Sequence, residues 1–494
     1  MTASTDYDVV IIGSGPNGLS AANALVDQGL SVCVIEGKDS LGGGLRTEEV
    51  TLPGFHHDMC SAIHPMGVLS PYMRTLGLED YGLNWCFSRS SVGHPMDDGP
   101  AVLLTKDLAE TAQGLGVDKD AYIKLIAPFL AQGPSLLADL MAPLQIPKHP
   151  FLMARFGMMG LRPATSLANS LFKGERAKGI FGGCAAHSIL PLNWAGTGAL
   201  GLIFALTAHL ENWPAARGGS ASIAAALVRR FEEKGGACRT GEYVENLDDL
   251  PSSRFVLFDT SPAQLRSIAG DALPAGYRNR LGNYVYGPGV FKLDWALNSP
   301  IPWRDPMLRG ASTVHLGGTL GEMAASEGAV WLGDHPQKPF VLLCQQSELD
   351  PSRAPEGKHT GYAYTHVPSG STFDMTEAIE SQVERFAPGF KDTVLHRRAT
   401  NAKDFSQHNR NYVGGAIAGG AATLTQLFTR PVARLNPYTT PNPRLLICSA
   451  STPPGGGVHG MCGYYAAKTV LKRMGLPISP LYRDPFQLAA PGDS

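Results

Sequence analysis

Gly13-Ser14-Gly15-Pro16-Asn17-Gly18 follows directly on the β-branched run Asp8–Ile12, and Glu36 closes the next apolar run, 31–35. Glycines at this spacing suit one task. Gly13 permits a tight turn, Gly15 lets backbone approach a pyrophosphate, and Gly18 allows a helix to pack closely on a strand; the phosphates then rest on the helix N-terminus. A carboxylate at the end of the second strand accepts hydrogen bonds from a ribose. This chemistry requires a strand over 8–12, a helix over 19–28 ending at Gly29, and a strand over 31–35. The sequence carries its own control. Gly196-Thr-Gly198-Ala-Leu-Gly201 has the same spacing, but it follows Pro191–Ala195, which is no strand, and has no correctly placed acid, so its glycines are expected to serve packing.

Two further glycine clusters extend the first. Glu36-Gly37-Lys38 leads into Leu41-Gly42-Gly43-Gly44-Leu45-Arg46-Thr47, and near the other end Arg444–Cys448 reads as a strand entering Ser449-Ala450-Ser-Thr-Pro-Pro-Gly455-Gly-Gly457-Val458-His459-Gly460-Met461. Together these motifs resemble the amine oxidase and phytoene desaturase superfamily, and within it the phytoene desaturase-like proteins related to pyridine nucleotide-disulfide oxidoreductase domain-containing protein 2. Trp213–Ser220, Tyr243-Val244, Phe55–Asp58, Tyr286–Trp295 and Asn411–Gly415 extend the resemblance over nearly the whole chain. It implies noncovalently bound FAD. The cofactor would be held by Gly13 to Gly18, by Glu36, Gly37, Lys38, Gly43, Gly44, Leu45 and Arg46, by the backbone of Val244 at the adenine, and by Ser449, Ala450, Gly457, Val458, His459 and Met461 near the flavin ring. The helix opening at Met461 would direct its N-terminus at the flavin and stabilise charge on the reduced ring.

The expected fold is α/β: a Rossmann-like FAD-binding domain assembled from 1–108, 215–275 and 437–494, interleaved with an α+β substrate domain from 109–214 and 276–436. Within the latter, strands are expected over 285–297 and 340–345 and a helix over 375–386. Residues 149–172 are rich in Phe and Met, with Arg155, Arg162 and Lys173 at the margins. An ordinary buried helix pair is the favoured expectation there, and an adaptable apolar entrance or a peripheral membrane contact is the alternative. The uncharged stretch 189–210 is diluted by Asn193, glycines and His209, so it reads as a buried segment and not a span. Residues 489–494 are expected to fray.

A formal charge of −2 with no basic run excludes a field suited to nucleic acid. Eight scattered cysteines without a CxxC pair signal neither zinc nor a redox dithiol, no metal motif is present, and free thiols fit a cytoplasmic setting. In a flavoenzyme the protein must present a substrate C–H to the flavin, exclude water and, where needed, move a proton. His64, His57 and Ser61, in the stretch that the resemblance brings to the flavin, and His459 are the catalytic candidates, each set against a structural hydrogen-bonding role. The resemblance implies hydride transfer between a small apolar or isoprenoid-like substrate and flavin N5, as in a dehydrogenase or desaturase, with electrons leaving to an external acceptor such as oxygen or a quinone. Two alternatives stand beside it: an amine or alcohol oxidase that makes hydrogen peroxide, and a FAD-stabilised interaction protein with little turnover. A homodimer is the general expectation for such an enzyme.

Overall fold

The computed structural model describes residues 5–478 and residue 481. The expected fraying of 489–494 lies outside them. Two sheets organise the chain. The first is a five-stranded parallel sheet in the order Leu445–Ile447, Ser253–Phe258, Tyr7–Ile12, Val32–Ile35, Ala237–Arg239. Its strands come from three separated stretches of chain, and the central one is buried along Val9–Ile12, as parallel strands covered on both faces must be. The Pro16–Val26 and Met461–Met474 helices pack together on one face, joined by Ala221–Glu233.

The second sheet has seven strands in the order Val394–Thr400, Gly289–Leu297, His359–Val367, Val341–Cys344, Ala311–Leu316, Ser90–His94, Val102–Leu104. All its pairings are antiparallel except that between Ala311–Leu316 and Ser90–His94. Helices Glu175–Ala186 and Thr197–Leu210 lie together against this sheet.

Several expected boundaries move for local reasons. The first helix begins at Pro16, whose fixed φ suits a first helical position. The strand expected from Val285 starts only at Gly289, because Gly287 takes φ +87° and Pro288 follows it. The second G-x-G-x-x-G lies at the start of the Thr197–Leu210 helix: a Cβ on Gly201 would meet the Phe181 ring at 2.6 Å, and one on Gly198 the Arg162 carbonyl at 2.8 Å. Those glycines do serve packing. The 149–172 expectation needs correction. Helices form over Pro150–Gly160 and Ala164–Leu171, but the first buries only Phe156 and Gly160 and leaves Phe151 91% exposed. Apolar side chains here outnumber the inward-facing positions of one short helix. Among the described residues no helix is long and apolar enough to cross a membrane.

A buried ionic cluster ties the mixed sheet to the two-stranded pair Thr47–Glu48/His57–Asp58 and to the start of the Ala221–Glu233 helix. Asp58 Oδ1 accepts from the Ser220 amide (2.7 Å), Ser220 Oγ (2.9 Å) and Thr47 Oγ1 (2.8 Å), and Oδ2 accepts from Arg353 (2.8 Å). Lys292 Nζ donates to the Asp58 carbonyl and to both oxygens of Asp294 at 2.7–2.8 Å. The Arg353 guanidinium and these donors outweigh burial and hold the Asp58 carboxyl below its ordinary range.

Candidate functional site

The first glycine turn is built as its spacing requires. Gly13 takes φ +97°, and a Cβ there would lie 2.7 Å from the Asp259 carbonyl. Gly15 takes the N-cap position of the Pro16–Val26 helix, and the acceptor for the Gly18 amide in its first turn is the distant Asp259 carboxylate at 2.8 Å. Glu36 locks the turn to the second strand: Oε2 accepts from the amide (3.2 Å) and hydroxyl (2.5 Å) of Ser14, and Oε1 from the Lys38 amide (3.0 Å). The next glycine cluster folds onto the first, so that a Cβ on Gly43 would come within 2.8 Å of Gly15 Cα.

The turn opens into a cavity of about 620 Å³ that continues from the parallel sheet to the mixed sheet. Gly13, Ser14, Gly15, Pro16, Asn17, Glu36, Gly37, Lys38, Gly43, Gly44, Arg46 and Val244 line one end. Ser449, Ala450, Gly457, Val458 and His459 line the wall supplied by the C-terminal motif, and Ser61 and His64 also face the cavity. Gly18, Leu45 and Met461 do not line it. The Gly18 amide donates to the Asp259 carboxylate, Leu45 is sealed in the hydrophobic core, and the Met461 amide donates to His459 Nδ1 at 3.0 Å, so it is not free to stabilise a ligand. Arg46 lines the cavity but spends its guanidinium on Ser40 and the Gly43 carbonyl, with Glu36 3.4 Å away. It braces the second glycine cluster.

The histidines separate by geometry. His64 is buried, with Nδ1 3.3 Å from Ser61 Oγ and Nε2 without a partner; burial pushes it down to about 4, so the ring is neutral. His459 is equally depressed, but its Nδ1 accepts from Met461 while the Gly455 and Gly456 carbonyls accept from the ring, which leaves no nitrogen free for proton transfer. His57 does not reach the cavity: its Nε2 lies 2.8 Å from Thr51 Oγ1 and its Nδ1 3.6 Å from Asp294.

Sequence reasoning missed Asp259, at the end of the Ser253–Phe258 strand. Its Oδ2 accepts the Gly18 amide at 2.8 Å beside Gly15, and burial pushes its carboxyl up to about 7. An acid after the run Phe255–Phe258 was a visible signal, but nothing in the sequence placed it against Gly15. The far end of the cavity is apolar, with Leu137, Leu140, Phe156, Ile203, Phe204 and Leu342 among its walls. The only acids lining the whole cavity, among the described residues, are Glu36, Glu242 and Asp259.

A family model described as an NAD(P)-binding Rossmann-like domain matches residues 11–76. A putrescine oxidase solved with putrescine bound superposes with a TM-score of 0.61 at 17% identity, over 95% of this chain and 99% of that one. The chain has the flavin amine oxidase fold. Among curated relatives, pyridine nucleotide-disulfide oxidoreductase domain-containing protein 2 of Mus musculus is 27% identical over 94% of each chain. A limonene dehydrogenase component from Castellaniella defragrans is 23% identical over 95% of each. Residues 11–76 thus match a Rossmann-like dinucleotide-binding domain, and the curated relatives that span the chain are named as an oxidoreductase domain-containing protein and a dehydrogenase.

Proposed function

We propose that the chain binds FAD noncovalently and moves hydride between a largely apolar organic substrate and flavin N5, as a dehydrogenase or desaturase that passes its electrons to an external acceptor. The observation that carries this reading is a single cavity with a glycine-lined nucleotide turn at one end and an apolar chamber at the other. The site fits such a cofactor. Asn17 Oδ1, His64 Nε2, Thr260 Oγ1 and Arg430 Nε are buried without partners, and all four residues line the cavity, so an occupant with polar edges would satisfy them.

Bound FAD would supply the hydride acceptor. The chain's own residues do the rest. The glycine turn and the Asn17 amide at the helix start would hold phosphate, Glu36 would orient a ribose, and His459 fixes the Gly455–Met461 loop. Ser61 orients His64, whose neutral ring leaves Nε2 unpaired at the cavity wall. Apolar walls exclude water from the reacting bond. The lack of a chamber carboxylate favours this reading over a polyamine oxidase, since a buried ammonium would have no counter-charge. Leu144, Ile146 and Phe151 are exposed on the segment whose neighbours Leu140 and Phe156 line the chamber, with Lys148 and Arg155 beside them, which supports a peripheral contact with anionic membranes.

The test is direct. Purified protein reconstituted with FAD should stay yellow through gel filtration and release its flavin on denaturing precipitation. Anaerobic bleaching against a panel of apolar and polar compounds, with mass spectrometry of the product, then identifies the substrate class. A colourless protein overturns the reading, and peroxide release with an amine or alcohol supports the oxidase alternative. Liposome flotation tests the membrane contact, which a wholly soluble fraction rules out.

A further inference from the structure

A pair of histidines, one half-buried and one sealed, stands at the chamber wall and takes no part in the chemistry above. His187 follows the Glu175–Ala186 helix and lines the chamber, while His315, on the Ala311–Leu316 strand, is sealed behind it. Their Nε2 atoms are 3.0 Å apart. Such a contact needs one proton between the two nitrogens, so one ring donates and the other accepts. Burial pushes His187 down to about 3 and His315 well below the ordinary histidine range, so both rings are neutral and each carries one proton.

Only one arrangement avoids a donor that is both unpaired and sealed from the cavity. If His187 donated, His315 would carry its proton on Nδ1, which is buried without a partner. Orphaned buried N–H groups are rarer than under-satisfied acceptors, so His315 donates from Nε2. His187 then keeps its proton on Nδ1. That atom has no partner among the described residues and, unlike Nδ1 of His315, is not sealed from the cavity. Packing fixes both rings. His187 stacks on Phe204 at 4.4 Å between centroids and meets Trp213 edge-on at 6.0 Å. His315 lies against Gly183, where a Cβ would fall 2.4 Å from its Nδ1.

We propose that His187, oriented by His315, is a hydrogen-bond donor that reads one acceptor oxygen on an otherwise apolar substrate. The inference rests on reading the chamber as the substrate site, and it narrows the substrate class to apolar molecules that carry a carbonyl, ether or hydroxyl oxygen. Because the chamber presents no acid, that molecule carries no ammonium group.

Isothermal titration of the flavin-loaded full chain with limonene and with carvone, which share a skeleton and differ by one ketone oxygen, tests this. In His187→Leu, or His187→Met if the leucine variant does not fold, the carvone-to-limonene affinity ratio should fall about tenfold, the size of one hydrogen bond. His187→Gln, which keeps an N–H donor, should restore most of the ratio. A ratio unchanged by Leu or Met, or wild-type protein that binds neither compound, overturns the proposal. Flavin absorbance and thermal midpoint are read on every sample. A folded, flavin-free protein that still shows the ratio change would refute the FAD reading while supporting the role of His187.

Discussion

Asp259→Asn is the perturbation whose consequence is worked most fully from the structure. The wild-type carboxyl is pushed from 3.8 up to about 7, mainly by burial, with Glu36 adding to the shift and the Gly18 and Gly15 amides opposing it. Its folded-state pKa lies above the unfolded value, so the folded chain holds an extra proton between about pH 4 and pH 7, and stability falls as pH rises through that window. At about 1.4 kcal/mol per unit the loss reaches about 4 kcal/mol near pH 7 and is constant above it. Asparagine keeps an oxygen for the Gly18 amide and removes the charge. The variant apoprotein should therefore exceed wild type by about 4 kcal/mol at pH 8, and by about 1.5 kcal/mol at pH 5. Urea unfolding at the two pH values, followed by tryptophan fluorescence, reads the difference directly. A pyrophosphate beside Gly15 would feel the same charge, so wild-type FAD affinity should weaken above pH 7 while that of the variant stays flat. A stability gap that is the same at pH 5 and pH 8 would refute the argument.

Other expectations follow from the same contacts. Asp58→Ala leaves Arg353 buried without its carboxylate and should cost about 3–5 kcal/mol by denaturant unfolding. Because the Asp58 carboxyl is depressed, its contribution is present at neutral pH and lost as pH falls below the unfolded carboxylate range. Glu36→Ala removes the acceptor of the Ser14 and Lys38 amides and should weaken FAD binding at least tenfold in a flavin fluorescence titration, with little change in the thermal midpoint once FAD saturates. Gly201→Ala and Gly15→Ala make a matched pair: the first should destabilise by about 1–3 kcal/mol by crowding Phe181 yet leave flavin content alone, and the second should lose flavin.

The nucleotide end of the cavity was legible because its constraints are local. A turn that needs glycine, a helix that starts directly on that turn and a strand that must end in an acid all fall within 8–36, and each leaves a mark on residue type. The same logic separated the second G-x-G-x-x-G, whose missing strand and acid match its place at a packed helix start. What stayed hidden depends on contacts between distant residues. Arg353 is one arginine among many until the fold carries it to Asp58. Asp259 reads as a strand-end acid until the neighbouring strand brings it against Gly15. His187 and His315 carry no shared motif, because a helix end and a mid-sheet strand bring them together.

His459 illustrates why residue type alone could not assign roles. Its place inside a glycine motif and the ordinary titration of histidine near neutrality made it a candidate for proton transfer, yet both nitrogens are consumed by the backbone that holds the loop. His64 has the same burial and the same depression, but its Nε2 remains unpaired. Replacing each by phenylalanine should therefore split the two roles. His459→Phe strips the Met461 amide of its acceptor and should lower flavin retention and thermal midpoint together, whereas His64→Phe should keep its flavin and slow anaerobic bleaching by substrate. Equal loss of flavin from both would place His64 in the scaffold with His459 and take it out of the proposed reaction path.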